Sequence, residues 1–264
     1  MNQTEPQNMT PANPSTQQGN DTSAADASGN SVRVRFPDGT AWLTYVLLAV
    51  TIGVYLLQVV SQNLLGADYP AYFGMKINES INQGQVWRFL TPVFLHGSLM
   101  HIGFNMYALN IFGRGLEKRY GTLRFAILYF MGALAGNTLS FLLSPNPSLG
   151  ASTAVFGLAA AEGVFIYRNR QFFGKTGRSV LINILTILGV NLLLGLSPGI
   201  DNWGHLGGLM GGALFAWFAG PLYEINGTWP HLSMVDRQGS MIIFATFMFE
   251  GFFWLLLALA GMLF

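Results

Sequence analysis

Hydrophobic positions along the chain are gathered into seven long runs that are separated by polar segments. The runs cover residues 41–60, 99–116, 124–143, 152–167, 180–196, 205–222 and 240–264. A helix of about 20 apolar residues is long enough to cross the hydrocarbon core of a bilayer. The pattern therefore predicts an all-α polytopic membrane protein with seven transmembrane helices.

Composition supports a bilayer as the solvent of this chain. Hydrophobic residues make up 51% of the sequence and charged residues only 9%, against about 25% charged residues in soluble domains. The chain has no cysteine, which excludes a disulfide framework, a thiol nucleophile and a cysteine metal site. Its net charge of +1 gives no reason to expect a nucleic-acid partner.

The first forty residues differ from the rest because they are rich in Asn, Gln, Ser, Thr and Pro. Such a segment buries too little apolar surface to offset the entropy of ordering, so we predict a disordered cytoplasmic tail without a signal peptide. The chain then divides into a tail at 1–40, a six-helix core at 41–222, a cytoplasmic loop at 223–239 and a seventh transmembrane helix at 240–264.

Basic residues set the expected orientation, because loops on the cytoplasmic side of membrane proteins carry an excess of Lys and Arg. With a cytoplasmic N-terminus, eleven of the thirteen Lys and Arg residues lie on the cytoplasmic side, and only Lys76 and Arg88 lie outside. The sequence therefore predicts a multi-pass protein of the cell membrane, with the bacterial inner membrane favoured, whose C-terminus is outside.

Chemically capable residues lie at the starts of alternate spans. The second, fourth and sixth spans run from the outside inward, so their N-terminal ends lie at the same depth. The second span begins with His101 and Asn105, which share a helical face at a spacing of four residues. The fourth span begins with Ser152 and the sixth with His205. Polar residues within a membrane indicate a functional site, so we expect these four to form one.

Ser152 and His205 suit nucleophilic catalysis. The hydroxyl of Ser152 lies among small residues at a helix start, where free backbone N–H groups could bind an oxyanion. His205 could accept the serine proton because the ordinary pKa of histidine lies near neutrality. Glycines recur every four residues in the sixth span and permit close helix contact. They are Gly204, Gly208 and Gly212, with Gly207 and Gly211 at the same spacing.

Each of these features also has an ordinary structural explanation. A serine at the start of a span is commonly a helix cap. A histidine near the membrane interface commonly packs its ring against apolar surface, and glycine faces are common wherever helices pack in membranes. The coincidence of all three at one depth on alternate spans favours a functional site.

Together the motifs resemble those of the rhomboid family of intramembrane serine proteases over residues 41–222. They are Trp87-Arg88, His96-x4-His101-x3-Asn105, Glu117-x-Arg119, Gly150-Ala-Ser152 and His205-Leu-Gly-Gly208. The extra span at 240–264 is similar to that of family members with six spans plus one at the C-terminus.

The resemblance implies a serine endopeptidase that uses a Ser–His dyad to cut single-span membrane proteins within the lipid bilayer, with no metal and no other cofactor. It implies Ser152 as nucleophile and His205 as general base. It also implies His101, Asn105 and the Ser152 backbone N–H as oxyanion donors. The other residues expected to line the site are Gly150, Thr153, Phe156 and His96.

Two of the lining residues depart from the family's pattern. Phe156, which is expected to pack against the catalytic histidine, is tyrosine in many relatives. Thr153 stands where a glycine often follows the serine, and its bulk is expected to narrow the site. The resemblance further implies that loop 61–95 lies partly in the membrane, that loop 197–204 caps the site and that the fifth span gates substrate access.

Other intramembrane proteases and metal sites can be tested by their own motifs. The zinc type needs His-Glu-x-x-His, which is absent from the sequence, and no aspartate lies mid-span as the aspartyl type requires. His96 and His101 are five residues apart and are not expected to share a helical face. This spacing argues against a histidine metal site.

Two further functions stay open. A proton-coupled transporter could use the intramembrane acids Glu162 and Glu250, which we interpret instead as partners in helix–helix hydrogen bonds. An inactive rhomboid-like protein that only binds clients is the other alternative, although both residues of the dyad are present.

Overall fold

The computed structural model describes residues 21–25, 31–37, 39–228 and 231–263. The described residues are mostly helical, which confirms the predicted all-α membrane class, and two short β-hairpins accompany the helices among them. The predicted disorder of residues 1–20 and 26–30 falls outside the described residues.

Each of the seven apolar runs forms helix. The helices are α1 (Trp42–Leu65), α2 (Tyr69–Gly74), α3 (Asn78–Asn82), α4 (Leu99–Ala108), α5 (Arg114–Tyr120), α6 (Thr122–Leu143), α7 (Ser152–Arg168), α8 (Gly174–Leu194), α9 (Asn202–Ala219) and α10 (Ser240–Leu263). By length and composition, α1, α6, α8 and α10 can each cross a bilayer. The second predicted span comprises α4 and α5, which a turn of π-helix at Leu109–Gly113 joins.

The helices α6, α7 and α9 form the centre of the bundle. In the most apolar part of α6, 67% of the residues are buried, against 17% in α8 and in α10. The outer helices therefore present most of their apolar surface away from the protein, where lipid can cover it.

Glycines allow the central helices to pack with their backbones in contact. A Cβ on Gly208 would overlap the carbonyl oxygen of Thr153, and one on Gly212 would overlap that of Gly157. On the neighbouring face of α9, a Cβ on Gly207 would lie 2.5 Å from the carbonyl oxygen of Ala135 in α6. The close helix contact predicted from the glycine spacing is confirmed.

The Glu-x-Arg motif joins α5 to other helices. The carboxylate of Glu117 accepts hydrogen bonds from the backbone N–H of Leu43 and of Thr44, at 3.0 and 2.7 Å. It therefore satisfies two of the free N–H groups at the start of α1. Arg119, two residues later, forms an ion pair with Glu162 of α7.

The first loop is folded rather than extended. It contains α2, α3 and two short 3-10 turns at Val86–Phe89 and Thr91–Phe94. The buried guanidinium of Arg88 donates to the carbonyl oxygens of Met75 and Tyr72, at 2.6 and 2.9 Å. The indole of Trp87 donates to the carbonyl of Phe73 at 3.0 Å. The Trp-Arg pair therefore closes the loop onto α2.

Strands form in two regions that were predicted to lack regular structure. In the predicted tail, β1 (Asp21–Ala25) pairs antiparallel with β2 (Ser31–Arg35). In the predicted loop 223–239, β3 (Tyr223–Thr228) pairs antiparallel with β4 (His231–Asp236). The pairing of β1 with β2 supplies backbone hydrogen bonds that the polar composition of the tail did not suggest.

Phe36, directly after β2, is buried and shows that the end of the predicted tail is packed against the core. Its ring lies 5.3 Å from the ring of Tyr223, 5.6 Å from that of Phe173 and 5.9 Å from that of Phe165. The prediction of a disordered tail up to residue 40 is therefore wrong at Phe36, because its large aromatic side chain packs against these three rings of the core.

Candidate active site

The three helices that carry the candidate residues begin at the same end of the bundle. Ser152 is the first residue of α7, while His101 and His205 lie in the first turns of α4 and α9. The space beside Gly150 joins two of them. A Cβ placed on Gly150 would lie 2.7 Å from His101 Nε2 and 3.6 Å from Ser152 Oγ.

Gly150 is required at this position for two reasons. Its φ of +133° is disfavoured for other residues, and a side chain would collide with the His101 ring. The half-buried hydroxyl of Ser152 and the imidazole of His101 therefore face a common space that the glycine keeps open.

His205 is held by an aromatic stack. Its ring lies 4.2 Å from the ring of Phe156, with an angle of 9° between the planes. Phe156 follows Ser152 by about one helical turn on α7. The stack therefore places the imidazole beside the first turn of the helix that begins with Ser152.

No hydrogen bond joins Ser152 and His205 within the part of the chain that the structure describes. His205 Nδ1 is buried and also has no hydrogen-bond partner among those residues. The catalytic geometry of the pair stays a prediction, since such bonds are often longer in the free enzyme and tighten when substrate binds.

His96 lies outside α4 but close to His101. It precedes α4, which begins at Leu99, so its position does not follow helical spacing. The two imidazole centroids are 5.0 Å apart. The two histidines therefore share no helical face, as the spacing indicated, but their rings lie side by side because the chain turns before α4.

The chemistry of His96 is set by burial and by one hydrogen bond. Burial, and then the neighbouring His101, lower the pKa of His96 to about 3, so the ring is neutral at physiological pH. Its Nε2 accepts a hydrogen bond from the backbone N–H of Ala151 at 3.3 Å. A neutral ring with an accepting Nε2 carries its proton on Nδ1. His96 therefore holds the residue before Ser152.

Asn105 has part of its hydrogen-bonding capacity engaged within α4. Its Nδ2 donates to the carbonyl oxygen of His101 at 2.9 Å, and the residue is buried. An amide nitrogen carries two N–H groups, so one of them is left to bind an oxyanion. The oxyanion role of Asn105 stays a prediction.

Thr153 lies in the helix packing rather than over open space. It is buried, and a Cβ on Gly136 of α6 would lie 2.5 Å from Thr153 Cβ. A Cβ on Gly204 of α9 would lie 3.2 Å from Thr153 Cγ2. The bulk of Thr153 therefore lies in the contact between α6, α7 and α9. The expected narrowing of the active site by this residue stays a prediction.

Two polar residues near the site were missed in the sequence. Gln58, inside the apolar α1, accepts a hydrogen bond from the backbone N–H of His96 at 2.9 Å. Asp201 caps α9, because its Oδ1 accepts from the backbone N–H of Gly204 at 3.0 Å. An amide within an apolar span and an acid three residues before a helical glycine were the available signals.

The two intramembrane acids that suggested a transporter have local partners. Glu162 pairs with Arg119 across α7 and α5, which agrees with its interpretation as an interhelical contact. Glu250 accepts from Trp254 Nε1 at 3.4 Å within α10 itself, so the expected bond to another helix is not formed by this oxygen. No cluster of three or more His, Cys, Asp or Glu side chains suited to a metal ion occurs among the described residues.

Comparison with known proteins places these motifs in a family. A family model described as the Rhomboid domain matches residues 83–222. Rhomboid protease GluP of Bacillus subtilis is 38% identical over 178 residues, which cover 67% of this chain and 34% of that protein. RHOMBOID-like protein 2 of Arabidopsis thaliana is 32% identical over 63% of this chain and 53% of its own length.

A third relative matches over most of both chains. Rhomboid-like protease 1 of Toxoplasma gondii is 35% identical over 208 residues, which cover 72% of this chain and 70% of that protein. The matched region of the family model includes Ser152, His205, His101 and Asn105. Because this model covers more than half of the sequence, the chain belongs to the rhomboid family.

Proposed function

We propose that this protein is an intramembrane serine endopeptidase with Ser152 as nucleophile and His205 as general base. The observation that carries the proposal is the stack of His205 on Phe156, with ring centroids 4.2 Å apart, about one helical turn from Ser152. The protease names of two of the relatives support the reaction class.

The first step forms an acyl-enzyme. His205 takes the proton of the Ser152 hydroxyl while Oγ attacks the carbonyl carbon of the scissile peptide bond. The carbonyl oxygen becomes an oxyanion. Collapse of this intermediate breaks the C–N bond, and the protonated imidazole gives its proton to the leaving amine. The product is an ester between Ser152 and the N-terminal part of the substrate.

The second step hydrolyses that ester. His205 takes a proton from water, and the resulting hydroxide attacks the ester carbonyl. The Ser152 oxygen leaves and regains its proton from His205, so the enzyme returns to its starting state.

Three groups could stabilise the oxyanion. The backbone N–H of Ser152 lies at the start of α7, where N–H groups lack intrahelical acceptors and the helix dipole is positive. The ring of His101 faces the space beside Gly150, and Asn105 has an N–H group to spare. Donors that are aimed before the reaction starts are among the largest contributions to catalysis.

The proposed substrates are single-span membrane proteins within the lipid bilayer. Helical segments hide their peptide bonds, so helix-breaking Gly or Pro near the cleavage site should help. The peripheral α8, which is 17% buried in its most apolar part, is the proposed gate for lateral access. The loop 197–204 would cap the site after substrate has bound.

The distribution of Lys and Arg supports a cytoplasmic N-terminus and an external C-terminus. In that orientation the Ser152 end of the bundle lies near the outer face, where water for the second step is at hand. The bacterial inner membrane stays the predicted location.

Cleavage of a reporter in proteoliposomes tests the proposal. A single-span reporter with a Gly-Pro pair near its outer end should be cut by the wild type and left intact by Ser152→Ala. Ser233→Ala is the matched control, because Ser233 is an exposed serine of β4 without a proposed chemical role. Equal cleavage by the wild type and Ser152→Ala would rule out the assigned nucleophile.

A further inference from the structure

Asp201 holds the first turn of α9 from both its backbone and its side chain. Its carbonyl oxygen accepts from the backbone N–H of His205 at 3.1 Å. Its Oδ1 accepts from the N–H of Gly204 at 3.0 Å. Asp201 therefore stabilises the helical turn that carries His205 through two hydrogen bonds.

The second carboxylate oxygen of Asp201 binds a different helix. Asp201 Oδ2 accepts a hydrogen bond of 2.5 Å from the hydroxyl of Ser140, a fully buried residue of α6. Hydrogen bonds to an ionised carboxylate are shorter and stronger than those between neutral groups. The start of α9 is thus joined to α6 by a side-chain hydrogen bond inside the protein.

Ser140 also contacts the segment that precedes the proposed nucleophile. Ser140 Oγ lies 3.5 Å from Ser148 Oγ, four residues before Ser152. Ser148 also pairs with Lys76 of the first loop through two backbone hydrogen bonds of 2.9 and 3.0 Å. A continuous set of contacts therefore runs from the first turn of α9, through α6, to the segment that enters α7.

The buried ammonium of Lys76 adds a further link between the first loop and the segment that follows α6. It donates to the carbonyl oxygens of Ser144 and Asn146, at 2.8 and 3.0 Å. Burial lowers the pKa of Lys76 to about 8, while the negative charges of Asp201 and then Glu79 oppose that shift. The negative charge of Asp201 therefore favours the protonated form of Lys76 in the first loop, in addition to its hydrogen bond at the start of α9.

The imidazole of His205 depends on such support. In a catalytic triad an acidic side chain binds the histidine Nδ1 and orients the ring. Here, within the described residues, His205 Nδ1 has no hydrogen-bond partner. Its orientation rests on the Phe156 stack and on the placement of the helical backbone.

We propose that Asp201 is a positioning residue, which uses its bond to Ser140 to fix the first turn of α9 so that His205 faces Ser152. Asp201 has this role only if Ser152 and His205 act as proposed above. A helix cap alone would need only the bond to Gly204, and then Ser140 would be dispensable for the reaction rate.

Four variants separate positioning from capping. Asp201→Ser keeps a cap but is too short to reach Ser140, and Ser140→Ala keeps the cap and removes the tether. Asp201→Asn can keep both contacts, by accepting from Gly204 and donating from Nδ2 to Ser140 Oγ. Asp201→Ala loses both.

The readout is the phosphonylation of Ser152 by a fluorophosphonate probe, in which Oγ binds phosphorus and fluoride leaves, in the full-length protein in detergent micelles. The rate at saturating probe and the half-saturating probe concentration are measured separately, together with the thermal unfolding midpoint. Asp201→Ser and Ser140→Ala should lower the saturating rate about tenfold with little change in half-saturation. Asp201→Asn should recover most of the rate.

Asp236→Asn is the matched control for lost stability. Asp236 is also a bonded carboxylate, which accepts from Arg124 at 2.7 Å and from the N–H of Leu222 at 3.0 Å beyond the other end of α9. This variant should unfold at a lower temperature and keep the wild-type phosphonylation rate.

Two results would overturn the positioning role. One is wild-type phosphonylation rates in both Ser140→Ala and Asp201→Ser, and the other is an Asp201→Asn variant as slow as Asp201→Ala. If the proposed function itself is wrong, the result differs. The probe will then not label the wild type at Ser152, and the Ser152→Ala substitution will remove no label.

Discussion

At the scale of single residues, the contacts around His205 determine what the site can do. The ring is stacked on Phe156, and its Nδ1 has no hydrogen-bond partner among the described residues. The stack fixes the plane of the imidazole, so changes in Phe156 should alter the reaction rate.

Replacing Phe156 tests that relation. Phe156→Ala should lower kcat/KM for a single-span reporter about threefold to tenfold, since an aromatic pair contributes about 0.5–1.5 kcal/mol beyond its buried area. Phe156→Tyr keeps the ring and should retain most of the activity. Full activity in Phe156→Ala would show that the stack does not orient the base.

The candidate residues differ in how far the sequence could reveal them. Ser152 and His205 stand in short motifs at helix starts, so local pattern was enough to name them. Asp201 and Ser140 were missed because their bond joins positions 61 residues apart. The motif placed His96 at the site, but nothing local to it indicated that its ring would pack against that of His101.

At the scale of helices, the direct backbone contact between α7 and α9 brings the two halves of the site together. The glycine pattern predicted this contact, because glycines spaced four residues apart lie on one face of a helix and let another helix approach that face closely. The hairpin of β3 and β4 was not predicted, since it lies in a short polar connection where strand pairing depends on partners across a turn.

Adding one methyl group at the contact should separate these helices. Gly208→Ala places a Cβ on the carbonyl oxygen of Thr153, which is backbone and cannot rotate away. We expect a loss of about 1–3 kcal/mol of stability and a clear loss of reporter cleavage. Thermal unfolding in detergent measures the first effect.

Gly53→Ala in α1 is the matched control, because nothing lies within 4 Å of a Cβ at that position. It should leave cleavage unchanged and raise stability slightly, as replacement of a helical glycine by alanine does. Equal unfolding midpoints for the two variants would contradict the tight contact between α7 and α9.

At the scale of the whole molecule, the first loop is joined to the helix bundle by a buried charge. Lys76 is fully buried and is held by the carbonyl oxygens that follow α6. The sequence indicated only that the loop was long and aromatic, because its fold depends on hydrogen bonds to residues about seventy positions away. Long-range bonds of this kind leave no local pattern.

The pH dependence of stability reports on this buried lysine. Burial lowers the pKa of Lys76 from 10.5 to about 8, so above pH 8 the unfolded state binds more protons than the folded state. Stability should therefore rise from pH 8 towards pH 10. Above pH 10 the raised pKa of Tyr223, about 12, has the opposite effect, because only the unfolded tyrosine then loses its proton.

Lys76→Met isolates the lysine contribution. Its thermal unfolding midpoint should lack the rise between pH 8 and pH 10 that the wild type shows. Parallel midpoints for the two proteins across that interval would mean that the pKa of Lys76 is not lowered in the folded protein.

The most direct test of the account is whether Ser152 is an activated nucleophile that depends on His205. A fluorophosphonate should label the wild type at one serine, and both Ser152→Ala and His205→Ala should lose the label while keeping the thermal unfolding of a folded protein. Label that persists in Ser152→Ala, or a folded wild type that takes up none, would contradict the assignment of the dyad.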